Sequence, residues 1–489
     1  MSDQTVTPEA TPHPTDLPTE NQDGTQDGTR PHDDKVPEAW RSFMMQGWGE
    51  RALDLPAHPV ATHAAARRAR LAEAFAGERL VIPSGRYKVR ANDTDYRFRP
   101  ETAHAYFTGN QTSDAVLVIE PDGSAALYAR PSAGSDSEEF FRNATYGELW
   151  VGRRPSLGEL SESLGIEVRH VDGLEDALKG STKTRVLRGA SAYVDGLVAP
   201  DASLDADLAR VASELRLKKD AWEVEQLQEA CDITALGFED SVADWANAIK
   251  YGERWIEGTF FRRARAHGND LGYDSIVGGG RHATTLHWVD NTGPIVPGEM
   301  VLLDMGVENR NLYTADITRT LPISGTYSPL QKDLYTLVLN AQQAGIDTVR
   351  PGAGFRDPHN AAMTVLAHGL DDLGLLPVSV DEALSEDNRT YARWTLHGTS
   401  HMLGLDVHDC AQAGQAAYGR ESTLDEGYVL TVEPGLYFQD NDLLVPEELR
   451  GIGIRIEDDI LVTADGYRNL SSALPRAAAD VEAWMGRHL

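Results

Sequence analysis

Residues Gly451–Val462 set Ile452, Ile454, Ile456 and Ile460 at alternating positions, the two-residue period of a strand laid against a core. The same twelve residues carry Arg455, Glu457, Asp458 and Asp459. Side chains two apart on a strand share a face, so Arg455 and Glu457 are expected to point the same way. A carboxylate taken into a core is costly unless a counter-charge or a metal meets it. A chain that commits this strand to its interior must therefore bring other charged groups, or a cation, around it.

Three other segments offer such groups. In VLLDMGVENRNLYTADITRT (301–320), Asp304 ends an apolar run and Asp316 precedes Ile317 and Thr318. With a polar turn between, this reads as a hairpin presenting two carboxylates together, though each Asp alone is also an ordinary turn residue. In HGTSHMLGLDVHD (397–409), His397, His401 and His408 are three of the chain's fifteen histidines. Glycines among them let a backbone approach closely. The four-residue spacing of His397 and His401 would suit zinc on a helix, but Gly398 stands where that metalloprotease pattern needs Glu, and Gly398 and Gly404 argue against a helix. In YVLTVEPGLYF (428–438), Val429, Leu430 and Val432 lead to Glu433, and Pro434-Gly435 stops the strand. Together the four segments supply Asp, Asp, His, Glu and Glu. Four carboxylates in one core repel unless cations hold them. Oxygen-rich ligation with one imidazole suits manganese, and also cobalt or zinc. That composition is natural for two metals that share carboxylates and activate a water for hydrolysis.

Other classes find no support. A net charge of -31 argues against a nucleic-acid binder working through a basic surface. No run of 18 apolar residues suggests a membrane span. Two cysteines, Cys231 and Cys410, cannot build a disulfide framework, so a reducing, cytoplasmic location is expected. Cys410, though close to the histidines, reads as a small buried thiol. VGGGRHATTLH (277–287) lacks the Lys-Ser/Thr of a phosphate loop, GIGIR lacks the third glycine of a dinucleotide fingerprint, and no Gly-x-Ser-x-Gly elbow is present.

Residues 1–38 hold six prolines and almost no large apolar side chains, and read as a disordered acidic tail. A helix is expected over 58–75, and a hairpin over 115–130 around Pro121-Asp122-Gly123. RLKKD (216–220) reads as a polar break, with Asp220 and Glu223 forming a capping box for a helix carrying Val224, Leu227 and Cys231. A mixed domain over 39–215 and a second over 216–489 are expected.

With these segments in view, the second domain resembles the pita-bread metallopeptidases, and among them the aminopeptidase P (Xaa-Pro aminopeptidase) family. The matching residues are Asp304, Asp316, His401, Glu433 and Glu457, which the resemblance implies bind two divalent ions, usually manganese. His287 in TTLHWVDN (284–291), His408 and His397 resemble further active-site histidines, and Arg455 resembles the arginine beside the last glutamate. DYRFRPETAHAYFTG (95–109) and LWVGRRPS (149–156) resemble the family's creatinase-like N-terminal domain. The resemblance implies an α/β (α+β) protein: a pita-bread catalytic domain preceded by a smaller mixed one. It implies hydrolysis of the bond between an N-terminal residue and a following proline by a hydroxide bridging two metals. It also implies peptide substrates and a homodimer or homotetramer. Two alternatives stand beside it: a prolidase, with the same fold and ligands but cleaving dipeptides, and a non-catalytic pita-bread module that binds proteins.

Overall fold

The computed structural model describes residues 37–49, 52–53 and 55–489, so the expected tail lies, save its last two residues, outside the described residues. The N-terminal part is built on a five-stranded sheet in the order Glu167–His170, Ala125–Ala129, Val116–Ile119, Arg79–Pro83, Thr184–Val186. Its centre is the expected hairpin, antiparallel from Val116 opposite Tyr128 to Ile119 opposite Ala125. The outer strands join in parallel, which requires crossovers. Helices Val60–Ala74, Leu157–Leu164 and Ala202–Glu214 supply them or cover the sheet.

Helix Ala221–Ala243 opens the second part. Asp220 accepts from the Glu223 backbone and the Glu223 carboxylate accepts from the Asp220 backbone, satisfying two orphan donors of the first turn. The segment before it is not the exposed break its composition suggests. Arg216 and Lys219 are buried, because both meet the buried carboxylate of Asp409, at 3.0 and 3.7 Å. Arg67 of the N-terminal part is also buried and reaches Asp220 at 2.9 Å and Glu223 at 3.3 Å. The two parts thus meet through ion pairs.

Behind that junction, strand Met300–Met305 lies between Ile276–Gly279 and Ile317–Pro322, all antiparallel. A second group pairs Val429–Val432 with Asp458–Thr463, and Gly435–Phe438 with Ile452–Arg455. Helices Ala221–Ala243, Glu253–His267, Pro329–Ile346 and Asp357–Asp372 pack around these strands. Every residue of Met300–Met305 and Ile317–Pro322 is buried; the first reads as an apolar run ending near Asp304, whereas the second buries Thr318, Arg319 and Thr320 among its apolar residues. The two strand groups are stitched edge to edge. The Glu457 backbone donates to the Thr318 carbonyl at 3.1 Å, and the Thr320 hydroxyl donates to the Arg455 carbonyl at 2.9 Å.

Two local expectations need correction. Gly451–Val462 is not one strand: Ile452–Arg455 and Asp458–Thr463 pair with different partners, and the break falls at Ile456 and Glu457. The link between Asp304 and Asp316 is not a polar hairpin tip either. Val307, Leu312, Tyr313 and Ala315 within it are buried, and Val307–Glu308 pairs with Asp270–Leu271. Tertiary packing encloses a segment whose Asn and Glu residues suggested solvent.

Candidate metal centre

Register places the first two carboxylates. Asp304 lies opposite Thr318 in the antiparallel ladder. Asp316 is two residues before Thr318, so Asp304 and Asp316 are diagonal neighbours on one face. The hydroxyl of Tyr273 lies 2.6 Å from an oxygen of each. Glu457 sits at the break between its two strands, where Thr318 donates to it at 2.6 Å.

The histidine segment is not helical. It runs along the edge of Val429–Val432: Thr431 donates its backbone N–H to the His401 carbonyl at 2.9 Å, and Glu433 donates to that of Thr399 at 2.8 Å. This lattice sets His401 Nε2 3.6 Å from Glu433 and 3.2 Å from Asp316. His401 Nδ1 faces its neighbour's carbonyl, that of Met402, at 3.2 Å. Among the described residues, Asp316, His401 and Glu457 form a group whose ligand atoms all lie within 4.8 Å of one another. Asp304 and Glu433 flank it.

Arg455 is buried and donates to Asp304 at 2.5 Å and to the Tyr437 hydroxyl at 2.9 Å. Tyr437 lies 2.7 Å from His397 Nε2, and His397 Nδ1 faces the Gly398 carbonyl at 2.8 Å. Burial, then the nearby Arg455 charge, pushes His397 down to about 4, so it is neutral at pH 7 and its Nε2 accepts the Tyr437 proton. A hydrogen-bonded chain therefore runs from Asp304 through Arg455 and Tyr437 to His397.

Tyr273, Asp304, Asp316, His397, His401, Glu433, Arg455 and Glu457 face one cavity of about 530 Å³, which His287, His408, Leu286, Val289 and Val407 also line. His287 and His408 are exposed to it, and the His408 ring stands edge-on to that of His401 with centroids 4.4 Å apart. All nine residues singled out in the sequence thus converge on one cavity.

Comparison with known proteins identifies the family. Residues 225–464 match the model of metallopeptidase family M24, and residues 64–187 match that of the aminopeptidase P N-terminal domain. Xaa-Pro aminopeptidase 1 of Streptomyces coelicolor is 53% identical over 449 residues, covering 90% of this chain and 91% of the relative. The chain belongs to the aminopeptidase P family of metallopeptidases. Xaa-Pro aminopeptidase 2 of the same organism is 49% identical over 453 residues, 91% of this chain and 96% of that one. The solved structure of aminopeptidase P from E. coli with the inhibitor Pro-Leu superposes with a TM-score of 0.77 at 29% identity, covering 88% of this chain and 99% of that one. Like its family, this protein is a metal-dependent aminopeptidase with an aminopeptidase P N-terminal domain and a C-terminal pita-bread domain.

The side chains fit the divalent ions such a family requires. Protein groups alone do not balance this cluster. Burial first, then the charges of Asp316, Glu433 and Asp304, pushes Glu457 far above the usual carboxylate range. Burial likewise raises Asp304 against the pull of Arg455, and takes Glu433 up to about 7 despite His401 and Arg455. Burial opposes charge on His401, but Asp316 and Glu433 outweigh it and raise the imidazole to about 9. The protons held this way stand where cations would satisfy the same oxygens and nitrogen. Tyr273 shows the same shortfall, since one hydroxyl proton cannot serve two carboxylate oxygens at 2.6 Å. The His401 ring, with Nδ1 toward a carbonyl and Nε2 toward carboxylates, has the posture of a ligating histidine.

Sequence reasoning missed three residues. Tyr273 and Tyr437 are aromatic residues without a motif, and their hydroxyls are found only in the folded site. Glu253 was hidden because it starts a helix and is fully buried. Its carboxylate accepts from the backbones of Gly279 (2.8 Å) and Gly293 (2.6 Å) and from Trp288 Nε1 (2.8 Å). It also lies 2.8 Å from His282 Nδ1, and His282 packs on Trp288 with centroids 4.0 Å apart. The loop that carries His287 is folded around this one buried acid.

Proposed function

We propose that this protein removes the N-terminal residue from peptides whose second residue is proline, using two divalent ions, most simply manganese, held by Asp304, Asp316, His401, Glu433 and Glu457. The observation that carries this reading is the convergence of those five groups on one cavity in a chain 53% identical to a Xaa-Pro aminopeptidase. Bound there, the ions supply Lewis acidity and lower the pKa of a water to near neutrality.

The chain's own residues do the rest. Glu433 takes the proton of the attacking water and hands it to the leaving proline nitrogen. His287 and His408 donate to the substrate carbonyl oxygen as negative charge develops on it. Neutral His397, fixed by Tyr437, borders the substrate and holds the polar wall in one arrangement. Leu286, Val289 and Val407 offer an apolar wall for the pyrrolidine ring. A site that demands no amide hydrogen at that position admits proline, whose nitrogen has none.

The same reading divides the chain near residue 216 and assigns 39–215 to the N-terminal domain. It takes the protein as a cytoplasmic homodimer or homotetramer. Its two cysteines are free and buried, in keeping with a reducing compartment, and no helix among the described residues is long and apolar enough to cross a membrane. The deciding experiment offers manganese-supplemented protein Xaa-Pro dipeptides, Xaa-Pro-Yaa tripeptides and proline-free controls. Release of Xaa from the tripeptides is expected. Cleavage of dipeptides alone would make it a prolidase, and no cleavage with metal bound would make it a binding module.

A further inference from the structure

The segment 95–109 of the N-terminal domain lies outside the cavity, yet it reaches the loop that carries His408. Arg99 donates through Nε to Glu308 at 2.6 Å and through Nη2 to the Leu405 carbonyl at 2.6 Å, and Nη2 lies 3.1 Å from Asp406. Thr102, at the start of the helix Thr102–Thr108, donates to Asp406 at 2.7 Å. Leu405 and Asp406 lie between His401 and His408, and the next residue, Val407, lines the cavity.

On its other side the loop is pinned. The Asp409 backbone donates to the Met402 carbonyl at 2.9 Å, Thr314 donates to that of Gly404 at 3.0 Å, and the Asp409 carboxylate meets Arg216 and Lys219. A side chain at Gly404 would run into the Asp409 carboxylate, so the turn has no room to shift that way. His408 itself is exposed and belongs to no helix or strand. Its position therefore depends on how Leu405 and Asp406 are held. The side-chain contacts that hold those two residues, from Arg99 and Thr102, come from a different domain.

We propose that Arg99 and Thr102 are positioning residues for His408: they clamp Leu405 and Asp406, and so tie the N-terminal domain to the substrate-facing side of the catalytic cavity. The kinetic part rests on the reading of His408 as a substrate-binding group; the clamp itself does not. Arg99 also grips Glu308, within the link between Asp304 and Asp316, so one guanidinium restrains two segments that lead into the site.

Two measurements on the full-length, manganese-loaded protein test this. In hydrogen–deuterium exchange, Arg99→Met is expected to lose protection over 403–410 and around Glu308, with the rest of the chain and the bound metal near wild type. Unchanged exchange there, or a loss spread evenly over the chain, would overturn the clamp whether or not any substrate is known. In a double-mutant cycle with Xaa-Pro-Yaa, Arg99→Met is expected to lower kcat/KM about tenfold in the wild type and less than about twofold in a His408→Ala background, since coupled residues are not additive. Equal losses in both backgrounds would overturn the link to His408. If Arg99→Met does not fold, Thr102→Val removes one bond of the clamp and is expected to give the same pattern with a loss of about threefold. A wild type that cleaves no peptide while the exchange pattern holds would defeat the proposed function and leave the clamp standing.

Discussion

The guanidinium of Arg455 donates to the carboxylate of Asp304 at 2.5 Å, both groups buried. Among the described residues, Arg455 is the one guanidinium or ammonium in contact with the carboxylates of the cluster described above. Removing one partner of a buried pair typically costs about 3–5 kcal/mol, because the other is left uncompensated. Arg455→Met is therefore expected to lower the unfolding free energy of chelator-treated protein by about 3 kcal/mol. Bound cations offset part of that loss, so the stability gap between chelated and manganese-loaded protein should widen in the variant. Denaturant titrations in both conditions give the answer; an unchanged gap would remove Arg455 from the charge balance.

Glu457 is almost wholly buried, at 1% exposure, and its oxygens face Asp316 and His401. Glu457→Gln keeps the shape and removes the charge. Elemental analysis should find less metal per chain than in wild type, and turnover should fall by about 100-fold or more, about 2.7 kcal/mol of transition-state stabilisation. Full metal content with full turnover would exclude Glu457 as a ligand.

Tyr273 touches both aspartates without being a candidate ligand itself. Groups that orient ligands typically change metal affinity or activity by about 10–100-fold. Tyr273→Phe should weaken manganese binding within that range, as read by competition with a chelator. It should also leave the fold intact, since only the hydroxyl is lost.

Glu253 satisfies four donors of the loop that presents His287. Glu253→Ala leaves the buried backbone donors of Gly279 and Gly293 unpaired, each at about 1–3 kcal/mol. Glu253→Gln keeps part of the set. The Gln variant is expected to raise KM and lower kcat/KM about tenfold, about 1.4 kcal/mol, with metal content unchanged. A fall in bound metal instead would mean that Glu253 supports the ligands rather than the His287 loop.

His104 gives the pH dependence. It is fully buried, its Nδ1 lies 2.9 Å from the Ile82 carbonyl and its Nε2 lies 3.3 Å from Asn110 Nδ2, an arrangement that suits the neutral ring. Burial pushes it from 6.5 down to about 4, against the smaller upward pull of Ile82. Between those values the unfolded chain binds a proton that the folded chain does not. Stability from this group is whole above pH 6.5 and falls as pH drops, by about 3 kcal/mol once below pH 4. Denaturation of wild type and His104→Gln at several pH values should show a shallower slope for the variant in that window. Parallel slopes would refute the assignment.

Part of the site was legible for a physical reason, whereas His287 was singled out only by the family resemblance. Asp304, Glu433 and Glu457 each follow an apolar run, where a charge is conspicuous, and the three histidines crowd one glycine-rich segment. The capping box at Asp220 was readable because its two bonds are local. Tyr273, Tyr437 and Glu253 left no such mark. Their partners lie between 18 and 43 residues away in sequence, and nothing in an isolated tyrosine or helix-initial glutamate foretells which carboxylate, guanidinium or backbone amide it will meet.

Sequence by itself determined the chemistry at hand: which side chains can carry charge, which runs seek the interior, and that four carboxylates and an imidazole accompany them. Only the tertiary structure decided that Asp304 and Asp316 become diagonal neighbours, that the Gly451–Val462 run breaks at Glu457 to turn it toward Thr318, and that Arg99 spans two domains to reach the His408 loop. Burial preference and strand period act along the chain within a few residues. Register between strands and the meeting of distant ion pairs depend on the whole core closing at once.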